Sequence, residues 1–387
     1  MKIFVIISLL VCSVFGLTGY LNPNYIQALE SSDISAKSYI VMDTNTNRVV
    51  LSNAEHNKME VASICKLMTV YITIENIKNG SITLDDRVFA SAYATSMEGS
   101  RAYLDNDYYS VSDLLKSVIV ASANDSAVVL AEYIAGTEKG FVVQMNNMAI
   151  TIGMNNTRYA NATGLPSIEQ YSTSYDTAIL LNKLYDNEIF SKFASIWMDS
   201  LIHPSGRETT LVNTNRLIKY YDKNICGKTG FTDEAGYCLA SVSSNNDITL
   251  TCVVLGSSSK QGRFNDSVTL CEKIFSKYYN DVLLSKEDLI TNDIKINKGV
   301  KNSINLKILE DICVLQNKDK PINYVLKYDL PYSMKAPITS GDVVGYVELI
   351  EDGVVIKKYD IVSVDNIEKS TYVDYIKDIV NRFGQNN

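Results

Sequence analysis

Apolar positions in this chain come in two rhythms. Short alternating runs lie towards both ends of residues 37–280, and longer runs of helical period lie between them. Residues 38–51 read as two strands around a polar turn, a β-hairpin. Residues 63–78 are apolar nearly all round (Leu67, Met68, Val70, Tyr71, Ile72, Ile74, Ile77), with Gly80 as a stop signal, which predicts a helix buried on every side. Ser110 and Asp113 form a capping pair that opens a second helix. That helix breaks at Ser122-Ala123-Asn124, and another is expected over residues 125–135 with Gly136 beyond its end. Helical period returns at 140–152 and 177–185. Strands follow at 224–230, 237–243 and 248–256, and then a closing helix over 265–279. A hairpin at one end, a three-stranded meander at the other and helices between them imply one antiparallel sheet covered by a helical lobe, an α+β fold.

The pattern changes on either side of this unit. Over 281–368, alternating stretches such as 303–309 and 342–350, separated by turns such as Asp352-Gly353, predict a small all-β domain. Residues 369–387 turn helical, with Tyr372, Ile376, Ile379, Val380 and Phe383 on one stripe beside Lys377 and Arg382. Periodicity fits a helix lying on a membrane surface as well as one docked on the β-domain. At the other end, Lys2 precedes an apolar run from Ile3 to Leu17, too short for a comfortable membrane span. Residues 1–19 read as a signal peptide and 20–36 as a linker, so the protein is expected to be exported.

Composition then removes whole classes of chemistry. With 36 basic and 44 acidic residues the net charge is −8, which argues against a nucleic-acid partner. The seven cysteines show no short repeated spacing. Cys12 leaves with the signal peptide, and Cys238 and Cys252 lie in apolar strands, where buried free thiols are expected. His56 and His203 are the two histidines of the chain, which excludes Ser-His-Asp catalysis and most histidine-built zinc sites. No metal or cofactor is called for.

A serine enzyme built from this chain therefore needs another base. Ser63 and Lys66, three apart at the head of the buried helix, share a face, and a lysine with a lowered pKa can take the serine proton. Ser257–Lys260 repeats the spacing in a loop after a strand, and Ser243-Ser244-Asn245 and Ser303-Ile304-Asn305 show how common Ser-x-Asn is. The discriminating feature is an ordered set: Ser63/Lys66 on a helix, Ser122/Asn124 on a loop between helices, and Lys228-Thr229-Gly230 on a strand. Lys66 and Lys228 converging on one site would depress each other's pKa. Ser122 can relay a proton, and Asn124 can bond a substrate amide. Gly230 would let an extended peptide lie along the strand, with Thr229 and Lys228 suited to a terminal carboxylate. The backbone N–H groups of Ser63 and Phe231 would form an oxyanion hole.

These three motifs, in this order, resemble those of the low-molecular-mass penicillin-binding proteins, serine-type D-alanyl-D-alanine carboxypeptidases. The similarity extends to Asn156–Leu165, Tyr171-Ser172-Thr173, Asn213–Leu217, Ala235–Leu239 and Gly262–Asp266, and it covers about residues 39–279. It implies a β-lactamase/transpeptidase-like domain, with Arg263 near the substrate carboxylate. It also implies a membrane-anchoring role for the tail helix, attack by Ser63 on the bond between the last two D-alanines of a peptidoglycan stem peptide, and acylation of Ser63 by β-lactams. Two positions depart from the family pattern. Cys65 stands where a hydroxyl residue is usual, and Cys226-Gly227 precedes Lys228. Cys65 is expected to pack rather than react. Rival readings are a β-lactamase, for which Glu169 is the nearest candidate deacylating base, and a penicillin-binding cell-wall protein without turnover.

Overall fold

The computed structural model describes residues 34–245 and 247–376. Its centre is a five-stranded antiparallel sheet in the order Val49–Asn53, Ser38–Asp43, Thr249–Ser257, Gly236–Ser244, Asn224–Thr232. The inner strands bury both faces, and side-chain alternation sorts their residues into two cores. Ile40, Met42, Val253 and Leu255 face the helical lobe, while Val41, Cys252, Val254 and Leu239 face the helix Gly262–Lys277 through Phe264, Val268, Cys271 and Ile274. Burial on both faces explains why Thr249–Ser257 is a nearly unbroken apolar run.

Within the lobe, the helix Lys66–Lys78 is packed against helices on several sides. Its stretch Val70-Tyr71-Ile72-Thr73-Ile74 is largely β-branched and has low intrinsic helicity. Burial overrides that preference, since Leu67, Met68, Val70, Ile72 and Ile74 are all buried and each contributes roughly 1.5–3 kcal/mol. The helix ends at Asn79, with Gly80 in the left-handed region at φ +76°. Ser110 caps Val111–Val120 by accepting from the Asp113 N–H (3.0 Å). The next helix, Asn124–Ala135, follows the break, and Gly136 (φ +76°) closes it.

The structure revises three boundaries. Ser63 does not open the α-helix but lies in a 3-10 turn, Ala62–Cys65, and Lys66 is the first α-helical residue. The closing helix starts at Gly262 and ends at Lys277, because Tyr278 and Tyr279 belong to a strand, Tyr278–Leu284. Sequence periodicity also passed over the helix Glu188–Ala194 and the hairpin of Met198–Ile202 with Glu208–Val212. Those two strands expose Met198, Ile202 and Val212, so apolar residues fall on the outer face and blur the alternation.

The strand Tyr278–Leu284 leads directly into the C-terminal β-structure by pairing with Ile312–Asn317. Beyond it a four-stranded sheet runs in the order Leu306–Ile308, Val354–Ser363, Val343–Glu351, Tyr324–Asp329 around a separate core that includes Leu306, Ile312, Val347 and Ile361. Arg48, on the turn of the first hairpin, bonds Glu351 (2.9 Å) and the Tyr324 hydroxyl (2.9 Å) across the junction. Residues 372–376 begin a helix with Tyr372, Val373, Tyr375 and Ile376 exposed. The remainder of the expected tail helix, the signal peptide and most of the linker lie outside the described residues. Among the described residues no helix is long and apolar enough to cross a membrane, and the six described cysteines are free.

Candidate active site

The 3-10 turn that carries Ser63 is held in an uncommon conformation. Ala62 sits at φ +48°, a region that residues with a Cβ rarely occupy. In a 3-10 turn side chains at i and i+3 eclipse, so Ser63 and Lys66 are brought closer than an α-helix would bring them. Lys66 Nζ donates to Ser63 Oγ at 3.0 Å and to the Thr163 carbonyl at 2.5 Å. Asn161 fixes that carbonyl, its Oδ1 accepting from Thr163 N (3.1 Å) and Gly164 N (2.7 Å). Gly164 is itself required, since a Cβ there would overlap the Ala62 carbonyl. Thr163 and Asn161 received no role in the reading of the sequence. Their signal was the stretch Asn156–Leu165, noted only as a family-like segment.

The Ser-x-Asn loop supplies a second hydroxyl. Ser122, at φ +61°, is almost fully buried and accepts from Lys228 Nζ at 2.7 Å. Asn124 donates to the Glu98 carbonyl at 2.5 Å, and its Oδ1 is buried without a protein partner. Lys228 comes from the edge strand Asn224–Thr232 and also donates to the Thr229 carbonyl (3.1 Å). Two hydroxyl–amine pairs, Ser63–Lys66 and Ser122–Lys228, therefore meet where the helical lobe abuts the sheet.

Burial decides the state of both lysines. It pulls Lys66 down to about 7, although Cys65 and Asp125 pull it the other way. Burial also holds Lys228 well below the usual lysine range, with the charges of Lys66 and Arg263 adding to the effect. The repulsion expected between the two lysines contributes at Lys228 and is second there to desolvation. With its pKa brought down to about 7, the amine keeps a substantial neutral fraction, and 3.0 Å from a serine hydroxyl it is a competent base.

These groups open onto a cavity of about 820 Å³ lined by Ser63, Ser122, Thr229, Gly230, Phe231 and Arg263 among others, while Lys66, Asn124 and Lys228 stand buried behind its wall. Gly230 also has a packing reason. A Cβ there would collide with the Val61 carbonyl and lie 3.2 Å from Ala62 Cβ, so the missing side chain lets the strand pack on the Ser63 turn. Phe231 is half-exposed and stacked on Tyr237 at 4.4 Å. Arg263 is buried and donates to the carbonyls of Gly230 (3.0 Å) and Cys238 (3.4 Å).

The decoys separate cleanly. Ser257 is buried and donates to Asp266, while Lys260 is exposed at the cavity rim. Glu169 is exposed and paired with Arg158 at 3.0 Å, and no carboxylate lines the cavity among the described residues. His203 is buried against Tyr109 and Thr209, and His56 packs at a tilt against Tyr175; neither lines the cavity. The single S–H of Cys65 faces two acceptors, the Asn161 carbonyl (3.3 Å) and Gln170 Oε1 (3.7 Å), and burial pushes its thiol up to about 12. It fills the place of a hydroxyl donor and lies outside the cavity lining.

Residues 25–259 match the family described as D-alanyl-D-alanine carboxypeptidase, and residues 279–369 match the C-terminal domain of penicillin-binding protein 5. The chain is 32% identical over 344 residues to the D-alanyl-D-alanine carboxypeptidase DacF of Bacillus subtilis, covering 88% of each. It is 30% identical to DacC of Escherichia coli over 92% of this chain and 90% of that one. Penicillin-binding protein 5 of Haemophilus influenzae superposes with a TM-score of 0.71 at 28% identity, over 88% of this chain and all (100%) of that one. With a matching fold and full-length relatives, the chain belongs to the D-alanyl-D-alanine carboxypeptidase family, the serine hydrolases of peptidase family S11.

Proposed function

We propose that this protein removes the terminal D-alanine from peptidoglycan stem pentapeptides through an acyl-enzyme on Ser63. The observation that carries this reading is the Ser63–Lys66 contact at 3.0 Å with Lys66 held near neutrality by burial. Lys66 takes the Ser63 proton as Oγ attacks the carbonyl between the last two D-alanines. The N–H groups of Ser63 and Phe231 receive the developing oxyanion, and Ser122, bonded to Lys228, passes a proton to the leaving amine. Asn124 orients the acyl side of the substrate. Thr229 and the positive potential of Arg263 face its terminal carboxylate. Water then releases the acyl group and restores Ser63. β-Lactams acylate the same oxygen.

A β-lactamase reading is disfavoured because no carboxylate lines the cavity among the described residues, and rapid deacylation there requires a base placed to activate water. Export, with the tail helix resting on the outer face of the cytoplasmic membrane, fits the apolar residues exposed at the start of that helix. The decisive experiment labels wild type and Ser63→Ala with fluorescent penicillin while D-alanine release from a diacylated Lys-D-Ala-D-Ala peptide is measured. Wild type is expected to do both and the variant neither. Labelling that survives Ser63→Ala overturns the site. Fast nitrocefin turnover without lasting acylation overturns the carboxypeptidase reading in favour of the β-lactamase.

A further inference from the structure

Two of the six described cysteines share one core, and neither has a place in the chemistry above. Cys65, Cys226 and Cys238 belong to the core on the lobe side of the sheet, and Cys313 lies on the strand Ile312–Asn317. Cys252 and Cys271 belong to the core on the other side. One is on the strand Thr249–Ser257 and one on the helix Gly262–Lys277, and neither exposes any surface.

Small side chains bring the two together. Ser241 pairs directly with Cys252 across neighbouring strands, so both side chains leave the same face of the sheet. Ser267 and Cys271 are four positions apart and share one face of the helix. The hydroxyls of Ser241 and Ser267 are 2.9 Å apart, which seats the helix close on this pair of strands. One helical turn further on, the Cys271 thiol is hydrogen-bonded to Cys252, and that bond, with burial second, holds its pKa well above the usual thiol range. As free thiols the pair contributes little beyond its bulk, since S–H is a weak donor and sulfur a weak acceptor. A covalent bond between residues 19 positions apart in the chain would instead remove conformational freedom from the unfolded state. It would also anchor a helix whose contacts reach the site. Arg263 donates to the Gly230 carbonyl (3.0 Å), and Glu272 accepts from the Tyr221 hydroxyl (2.6 Å) and Lys223 Nζ (2.7 Å).

We infer that Cys252 and Cys271 form a dithiol site that, on oxidation by an external low-molecular-mass disulfide, staples the helix Gly262–Lys277 to the central sheet. One cysteine thiolate attacks the external disulfide and releases one thiol. The second cysteine thiolate then displaces the remaining half, so two protein thiols are oxidised to one disulfide and the reagent is reduced to two thiols. Because both sulfurs are closed to solvent, the exchange takes place while the helix is undocked, during folding or transient opening, and docking selects the pairing. An exported chain meets such oxidants. The site does not depend on the carboxypeptidase reading.

The test incubates the full chain with oxidised glutathione a few degrees below its Tm, beside a control in dithiothreitol. Thiols are then counted in denaturant, and non-reduced peptides are sequenced by mass spectrometry. Oxidation is expected to remove two thiols and to yield one linked pair of peptides joined at Cys252 and Cys271. The oxidised form should melt about 3–8 °C above the control, and dithiothreitol added during the melt should abolish the difference. Penicillin acylation should stay within about threefold between the two forms, since the Ser63 turn packs on the opposite face of the sheet. The double variant Cys252→Ala/Cys271→Ala should melt at the same temperature in both buffers. An unchanged thiol count, glutathione retained on either cysteine, a bond mapped to any other pair, or an oxidised Tm no higher than the control overturns the inference. These readouts on the wild-type chain decide it even if the double variant does not fold.

Discussion

Lys66 and Cys65 are adjacent, equally buried and opposite in consequence. Burial disfavours the charged form of each, so the lysine becomes a base and the thiol stays protonated. Because the active form of Lys66 is neutral and its pKa is lowered to about 7, acylation should rise with pH through about 7 and level off above it. Below that, the rate should fall about tenfold per pH unit as Lys66 protonates. Stopped-flow acylation by a fluorescent penicillin between pH 5.5 and 8.5 measures this, and a flat profile would count against Lys66 as the base. For Cys65, the expected result is that iodoacetamide leaves native activity intact and that Cys65→Ser retains acylation within about fivefold, since a hydroxyl can donate its one hydrogen to either of the same two acceptors. Rapid loss of activity on alkylation would contradict the packing role.

At the scale of elements, two glycines set the nucleophile turn. Gly164 and Gly230 approach the Ala62 carbonyl and the Val61 carbonyl so closely that a methyl group on either must displace the turn. Gly164→Ala and Gly230→Ala are each expected to lower stability by about 1–3 kcal/mol and to slow acylation at least 100-fold. Gly80→Ala is the informative contrast. It has open space around it but φ +76°, so it should cost only about 1 kcal/mol and leave acylation unchanged. Thermal melts with penicillin acylation rates decide between these outcomes. The identity of the helix 63–78 was legible because an all-round apolar run of that length fits a buried helix. Its first turn was not, because the 3-10 conformation depends on Gly164 and Gly230 pressing from distant segments.

Across the whole molecule, the catalytic lobe and the C-terminal sheet are joined by a strand that continues directly from a helix, with Arg48–Glu351 bridging beside it. That bridge is partly exposed, so Arg48→Ala is expected to change stability by less than about 1 kcal/mol in urea denaturation and to leave penicillin acylation as in wild type. A larger loss would mean that the bridge, rather than the paired strands Tyr278–Leu284 and Ile312–Asn317, holds the two parts together.

The sequence by itself determined which groups could do the chemistry. With two histidines it excluded one kind of serine catalysis, and the order of Ser63/Lys66, Ser122/Asn124 and Lys228-Thr229-Gly230 named the alternative. Helical and strand periods placed those motifs on a helix, a break and a strand, because such periods are local properties of the chain. Only the tertiary structure decided how the groups work. The pKa of Lys66 follows from burial by residues nearly a hundred positions away, including the Thr163 carbonyl it bonds. The need for Gly230 follows from a collision with Val61, and the bond from Arg263 to the Gly230 carbonyl joins a helix to a strand 33 positions away. Those are properties of contact and solvent exclusion between distant segments, which no local pattern encodes.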